Sequence, residues 1–121
     1  MNTIHILNTT IMPVDGLYGC ATITVEQARA LLRDRAIVSH VGHQSTAAIC
    51  SELLERPVPF DRAPWDGKGV ALALKLNGRP PEGVILGRAE IEAIGYEWKL
   101  IENLGQWAMK AVLSSGGVNE R

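Results

Sequence analysis

The run Val70–Leu76, VALALKL, limits what this chain can fold into more than any other stretch. Only Lys75 interrupts its apolar character. A strand with one solvated face alternates apolar and polar residues, whereas a near-continuous apolar run of this length is expected of a central strand covered on both faces. Such a strand needs layers above and below it, so the surrounding sequence should supply further strands and covering helices.

The neighbouring segments meet that requirement. Thr3 to Leu7 is rich in β-branched and apolar residues and ends at Asn8-Thr9-Thr10, short polar residues suited to a strand-end loop. Residues 11–22 hold Pro13, Asp15-Gly16 and Gly19, which predicts a loop, with Ala21 to Ile23 able to pair briefly at an edge. Thr24 followed by Gln27 is a capping box, and Val25, Ala28, Leu31 and Leu32 then recur at helical spacing to Arg33. Ala36 to Val41 is a short β-prone run that stops at Gly42-His43. Ser45 or Thr46 is placed to cap a second helix, whose apolar face Ala47, Cys50, Leu53 and Leu54 ends before Pro57.

From Pro57 to Gly69 prolines and glycines bound a loop that carries Asp61, Arg62, Asp66 and Lys68, and loops of about a dozen residues tend to be functional. After the apolar strand come the turn Arg79 to Gly83, a short helix Arg88 to Ile94 closed by Gly95, and a last strand Tyr96 to Glu102. Gln106 to Leu113 suits an added helix, and the final SSGGVNER suits a disordered tail. The expectation is a single α/β domain, a mixed sheet of about four to six strands flanked by helices over residues 1–104, with a C-terminal extension over 105–121.

A chain of 121 residues has room for one core. Its net charge of −1 offers no global positive field for duplex DNA or long RNA, although a few converging arginines still suit a small anionic ligand. Cys20 and Cys50 form no CxxC pair and are expected to be core thiols in a reducing cytosol. No targeting or membrane-spanning run stands out, so a cytoplasmic protein without a membrane partner is expected.

Three segments carry candidate chemistry. In Ser39 to Ala47 a strand gives way to a glycine turn and a helix start, where free backbone N–H groups and the positive end of the macrodipole stabilise an anion. His43 stands beside that position and can move protons near neutral pH; the plainer reading is a histidine hydrogen-bonded within its own loop. His40 and His43 also form an HxxH pair, but no third metal ligand sits at recognisable spacing. In Arg79-Pro80-Pro81-Glu82-Gly83, two prolines stiffen a turn that offers a guanidinium fork to phosphate and a carboxylate to orient a hydroxyl or histidine. An exposed Arg–Glu pair of little energetic value is the plainer reading. Asn8-Thr9-Thr10 lies at a strand's carboxyl end, where open α/β sheets commonly bind ligands, and strand-end capping is the alternative. Trp65, Trp98 and Trp107 are able to stack on a base but more often belong to a core or interface.

Taken in order, the Asn-containing end of the first strand, SxxGHxxTA from Ser39 to Ala47, the isolated Arg62 and RxPEG from Arg79 to Gly83 resemble the ring nucleases. This is a viral and bacterial family that silences type III CRISPR signalling, and the resemblance covers about residues 2 to 102. It implies a homodimer that cleaves cyclic tetra-adenylate to linear di-adenylate with 2′,3′-cyclic phosphate ends, without a metal or other cofactor. It places the catalytic roles on His43, Arg79 and Glu82, and ligand contacts on Asn8, Thr9, Thr10, Gly42, Ser45, Thr46 and Arg62. Two positions depart from the family pattern: Asn8-Thr9-Thr10-Ile11 lacks the usual serine, and Pro81 stands where an aliphatic residue is expected. The alternative function is a non-catalytic module that sequesters or senses a cyclic nucleotide.

Overall fold

In a computed structural model that describes residues 3–79, 84 and 86–114, the chain forms β1 (Thr3–Leu7), β2 (Tyr18–Ile23), α1 (Val25–Leu32), β3 (Ala36–Ser39), α2 (Gln44–Leu54), β4 (Val70–Leu76), α3 (Arg88–Ile94), β5 (Tyr96–Asn103) and α4 (Gln106–Ser114). The strands make one mixed sheet in the order β2-β5-β4-β1-β3. β1 pairs in parallel with β3 and with β4, while β5 runs antiparallel to β4 and β2. The expected α/β domain with a mixed sheet flanked by helices is therefore the architecture of this chain.

β4 sits at the centre of the sheet, as its apolar sequence requires. Leu72 and Leu74 join Ile4, Ile6 and Trp98 in the main core, against Ala28 and Leu32 of α1, Cys50 and Leu53 of α2, and Ile91 of α3. Ala71 and Ala73 face the other way, into a second cluster with Leu7, Trp65 and Ile101. Two alanines there let the Pro57–Gly69 loop lie close on the sheet, and Trp65, only 4% exposed, fills the space their small side chains leave. That loop is thus the second cover of β4.

Local chemistry sets the helix ends. Thr24 Oγ1 accepts from the N–H of Gln27 at 3.0 Å, and Gln27 Oε1 accepts from the N–H of Thr24 at 2.8 Å, so the capping box that starts α1 is complete. α3 stops at Gly95, whose φ of +87° disfavours any other residue. Among the described residues no helix is long and apolar enough to cross a membrane.

Four expectations need correction. β2 is a six-residue edge strand that begins at Tyr18, not a brief pairing within a loop. Full pairing with β5, from Tyr18↔Asn103 to Ile23↔Trp98, outweighs the breakers that precede it. β3 ends at Ser39, two residues early: the His40 N–H still bonds Ile6 O of β1, but Val41 leaves the ladder, its N–H donating to Ser39 Oγ and its carbonyl accepting from the Asp61 N–H. The N-cap of α2 is His43 and not Ser45 or Thr46, which lie inside the helix. Cys20 is exposed on β2, so only Cys50 is a core thiol. Residues 115–121, expected to be a disordered tail, lie outside the described residues.

Candidate functional site

Because β4, β1 and β3 are adjacent and parallel, their carboxyl ends share one edge of the sheet. Asn8-Thr9-Thr10 follows β1, His40 to His43 follows β3, and Asn77 to Arg79 follows β4. The topology thus brings three of the candidate segments to one place, although 30 to 71 residues separate them in sequence, by the difference of their residue numbers.

Two clefts open at this edge. One, of about 150 Å³, is lined by Asn8, Thr9, His40 and Arg62, with Pro64 and Trp65 among its apolar walls. The other, of about 330 Å³, runs from Asn8, Thr9 and Thr10 to Leu74, Lys75 and Leu76. Arg62 enters the first because the Pro57–Gly69 loop is tied to the end of β3. The Asp61 N–H donates to Val41 O at 2.9 Å, and the Ser39 hydroxyl donates to Pro59 O at 2.5 Å. The Arg62 guanidinium lies 5.7 Å from the centre of the Phe60 ring, a cation–π distance that limits its swing.

His43 is exposed, and its ring makes no hydrogen bond or ion pair among the described residues. Among the described residues no side chain caps α2, so the N–H groups of its first turn stay available to an outside acceptor. Ser45 and Thr46 are half-buried in that turn. Arg79 is exposed at the far side of the same edge. Glu82, together with Pro80, Pro81 and Gly83, lies outside the described residues.

Trp65 and Trp98 do not offer open stacking platforms. Trp65 donates its indole N–H to Lys68 O at 2.9 Å and packs in the second cluster, and Trp98 is wholly buried in the first. Trp107 has no described side chain.

One arrangement at the site was not legible in the motifs. His5 Nδ1 lies 2.8 Å from His40 Nε2, and His40 Nδ1 lies 2.7 Å from Ala63 O. A carbonyl only accepts, so His40 carries its proton on Nδ1; in the neutral pair His5 Nδ1 then donates to His40 Nε2. Burial first, and the charge on His40 second, hold His5 below the usual histidine range, while Asp66 pulls the other way. With both ring nitrogens engaged, His40 is not placed to share a metal ion with His43. Among the described residues no group of three or more His, Cys, Asp and Glu side chains converges for a metal. The period-two alternation that sends Ile4 and Ile6 to the helices sends His5 to the opposite face, and that was the available signal.

Comparison with known proteins extends the likeness in fold to a likeness in sequence. The chain is 28% identical over 106 residues to Uncharacterized protein 26 of Sulfolobus islandicus filamentous virus (isolate Iceland/Hveragerdi), covering 82% of this chain and 90% of that protein. It is also 28% identical over 105 residues to Uncharacterized protein YddF of Bacillus subtilis (strain 168), covering 84% and 97%. The solved structure of B116 of Sulfolobus turreted icosahedral virus superposes with a TM-score of 0.68 at 16% identity, covering 84% of this chain and 99% of that one, a likeness of fold. Residues 4–98, from Ile4 of β1 to Trp98 in the first part of β5, match the STIV B116-like family, and the chain belongs to that family.

Proposed function

We propose that this protein is a metal-independent ring nuclease that cleaves cyclic tetra-adenylate to linear di-adenylate and so switches off type III CRISPR signalling. The observation that supports this most is that one sheet edge carries His43, without a partner among the described residues, at the N-terminus of α2 together with Arg62 and the polar segment Asn8–Thr10. An exposed helix start favours a phosphate, and a histidine beside it with no hydrogen-bond partner among the described residues is free to act on that phosphate's ester oxygen. Relatives in both a virus and a bacterium accord with a device used on either side of an antiviral response.

An RNA phosphodiester carries its own nucleophile. In the proposed step the ribose 2′-oxygen attacks the adjacent phosphorus, the bond from phosphorus to the 5′-oxygen breaks, and a 2′,3′-cyclic phosphate remains. The 2′-hydroxyl proton leaves to solvent as His43, in its charged form, delivers a proton to the departing 5′-oxygen. Arg79 stabilises the added charge on the phosphorane, and Glu82 positions His43, Arg79 or the hydroxyl. Arg62, Asn8, Thr9, Thr10, Gly42, Ser45 and Thr46 bind the ring. A ring with four phosphates suits a homodimer, since a two-fold axis presents the same residues to opposite phosphates and doubles the local positive charge.

The test is to incubate the purified protein with labelled cyclic tetra-adenylate in excess EDTA and separate ring, linear tetramer and dimer over time. Dimers ending in 2′,3′-cyclic phosphate, formed roughly 10²- to 10⁴-fold more slowly by His43→Ala while the ring still binds, are expected. A ring that is bound but never cut would identify a sequestering or sensing module instead.

A further inference from the structure

We infer that His5 and His40 are positioning residues: their hydrogen-bonded pair fixes Ala63, and through it sets where the adjacent Arg62 meets the ligand. The chain of contacts is short and unbranched. His5 on β1 is joined to His40, His40 to Ala63 O, and Ala63 follows Arg62 directly. The Ala63 N–H is held as well, by Asp61 Oδ1 at 3.0 Å, so both backbone polar groups of that residue are fixed. Releasing the carbonyl removes the tie to the sheet nearest Arg62 on this side, the next being buried Trp65 and the donation from Asn103 Nδ2 to Gly67 O, and the guanidinium loses its fixed approach to the cleft that it lines with Asn8 and His40.

Proton counting makes this pin sensitive to acid. The neutral pair is satisfied with His5 donating to His40. A pair with one added proton is also satisfied, since whichever ring is charged donates to the lone pair of the other while His40 Nδ1 keeps Ala63 O. A second added proton leaves two charged N–H groups facing each other across 2.8 Å, and the contact must open. The charged groups around the pair are few. Asp66 on the loop favours the charged form of His5, Asp61 is turned to the Ala63 N–H, and Arg62 flanks Ala63; on the sheet, the residues in register with His5 are the uncharged Val38 of β3 and Ala71 of β4.

The test combines amide hydrogen exchange of the full chain with kinetics on cyclic tetra-adenylate; only the kinetic arm rests on the ring-nuclease reading. His40→Asn keeps a donor near the Nδ1 position and cannot titrate, whereas His40→Gln carries its amide toward His5 and away from Ala63. In His40→Gln we expect the protection of the Asp61 and Ala63 amides to fall and KM to rise, each by about 10-fold or more, with kcat within about 3-fold. His40→Asn should restore both, and should lose the drop in protection that the parent protein shows in acid. Equal protection in His40→Gln and the parent, equal damage in both variants, or a fall in kcat at unchanged KM would overturn the inference. If the parent neither binds nor cuts the ring, the ring-nuclease reading fails by itself, and the exchange comparison still decides whether the pair pins the loop.

Discussion

Gly42 and Arg62 are in contact across the space where a side chain is missing: a Cβ on Gly42 would stand 3.3 Å from Arg62 Cγ. The glycine therefore does more than permit a turn; it is the surface against which the arginine stem lies. Gly42→Ala should push that flexible, exposed stem aside by a few tenths of an ångström without disturbing the core. The expected outcome is a stability within about 1 kcal/mol of the parent, as loss of chain entropy in the unfolded state offsets the tight contact. Affinity for the proposed ligand, cyclic tetra-adenylate, measured by calorimetry, should fall about 3- to 10-fold through the displaced guanidinium.

The two thiols should differ sharply in reactivity. Burial pushes the Cys50 thiol up to about 12, and that side chain is wholly enclosed, whereas Cys20 lies on the exposed edge strand. Only the thiolate is nucleophilic, so a disulfide reagent at about pH 8 should titrate one thiol in the folded protein and two after denaturation. Rapid reaction of both in the native state would place Cys50 outside the core.

Stability should also depend on His5. Its folded-state pKa lies below the unfolded value, so the unfolded chain binds more protons as pH falls from about 7 toward 5. The contribution is therefore fully present above the unfolded pKa and is lost as acid carries the pH down through the folded value. The melting temperature of the parent should drop over this range, and His5→Gln should flatten that drop. An unchanged slope in the variant would assign the acid sensitivity to other groups.

What the sequence disclosed, and what it hid, follow from how far each feature's cause extends along the chain. β4, α1 and the stop of α3 at Gly95 were legible because an apolar run, a capping box and a terminal glycine are local. β2 was not, because none of its residues is buried and its pairing partner, β5, lies about 80 residues on in the sequence. The candidate site divides in the same way. Strand ends and a glycine turn flagged Asn8, Gly42 and His43, whereas the bond from His5 to His40 spans 35 residues and needs the parallel pairing of β1 with β3 before the two rings can meet. No local pattern announces that the Pro57–Gly69 loop covers the sheet, since Trp65 meets Ala71 and Ala73 together with Leu7 of β1 and Ile101 of β5, strands far from the loop in sequence.

The capping box gives a direct test of how far α1 depends on its first turn. Thr24→Ala removes the acceptor for the Gln27 N–H, while the backbone N–H from which Gln27 Oε1 accepts is retained, at a cost of about 1 kcal/mol. Urea unfolding should report that loss with an unchanged slope. Thr24→Ser, which keeps the oxygen, should recover most of it.

Trp98 poses the sharpest question about the core. It is wholly buried among the apolar residues of the main cluster, yet its indole Nε1 has no hydrogen-bond partner among the described residues. A bare buried donor costs about 1–3 kcal/mol, so the large burial of the rings must exceed that penalty. Trp98→Phe removes the donor together with part of the ring volume, and the two effects oppose each other. Its stability should fall by no more than about 2 kcal/mol, whereas Trp98→Ala, which leaves the whole cavity, should lose about 3–5 kcal/mol. Equal losses in the two variants, measured by denaturant unfolding, would mean that the N–H does have a partner in solution, such as an enclosed water, and that the indole is held there by its polar atom as well as by its area.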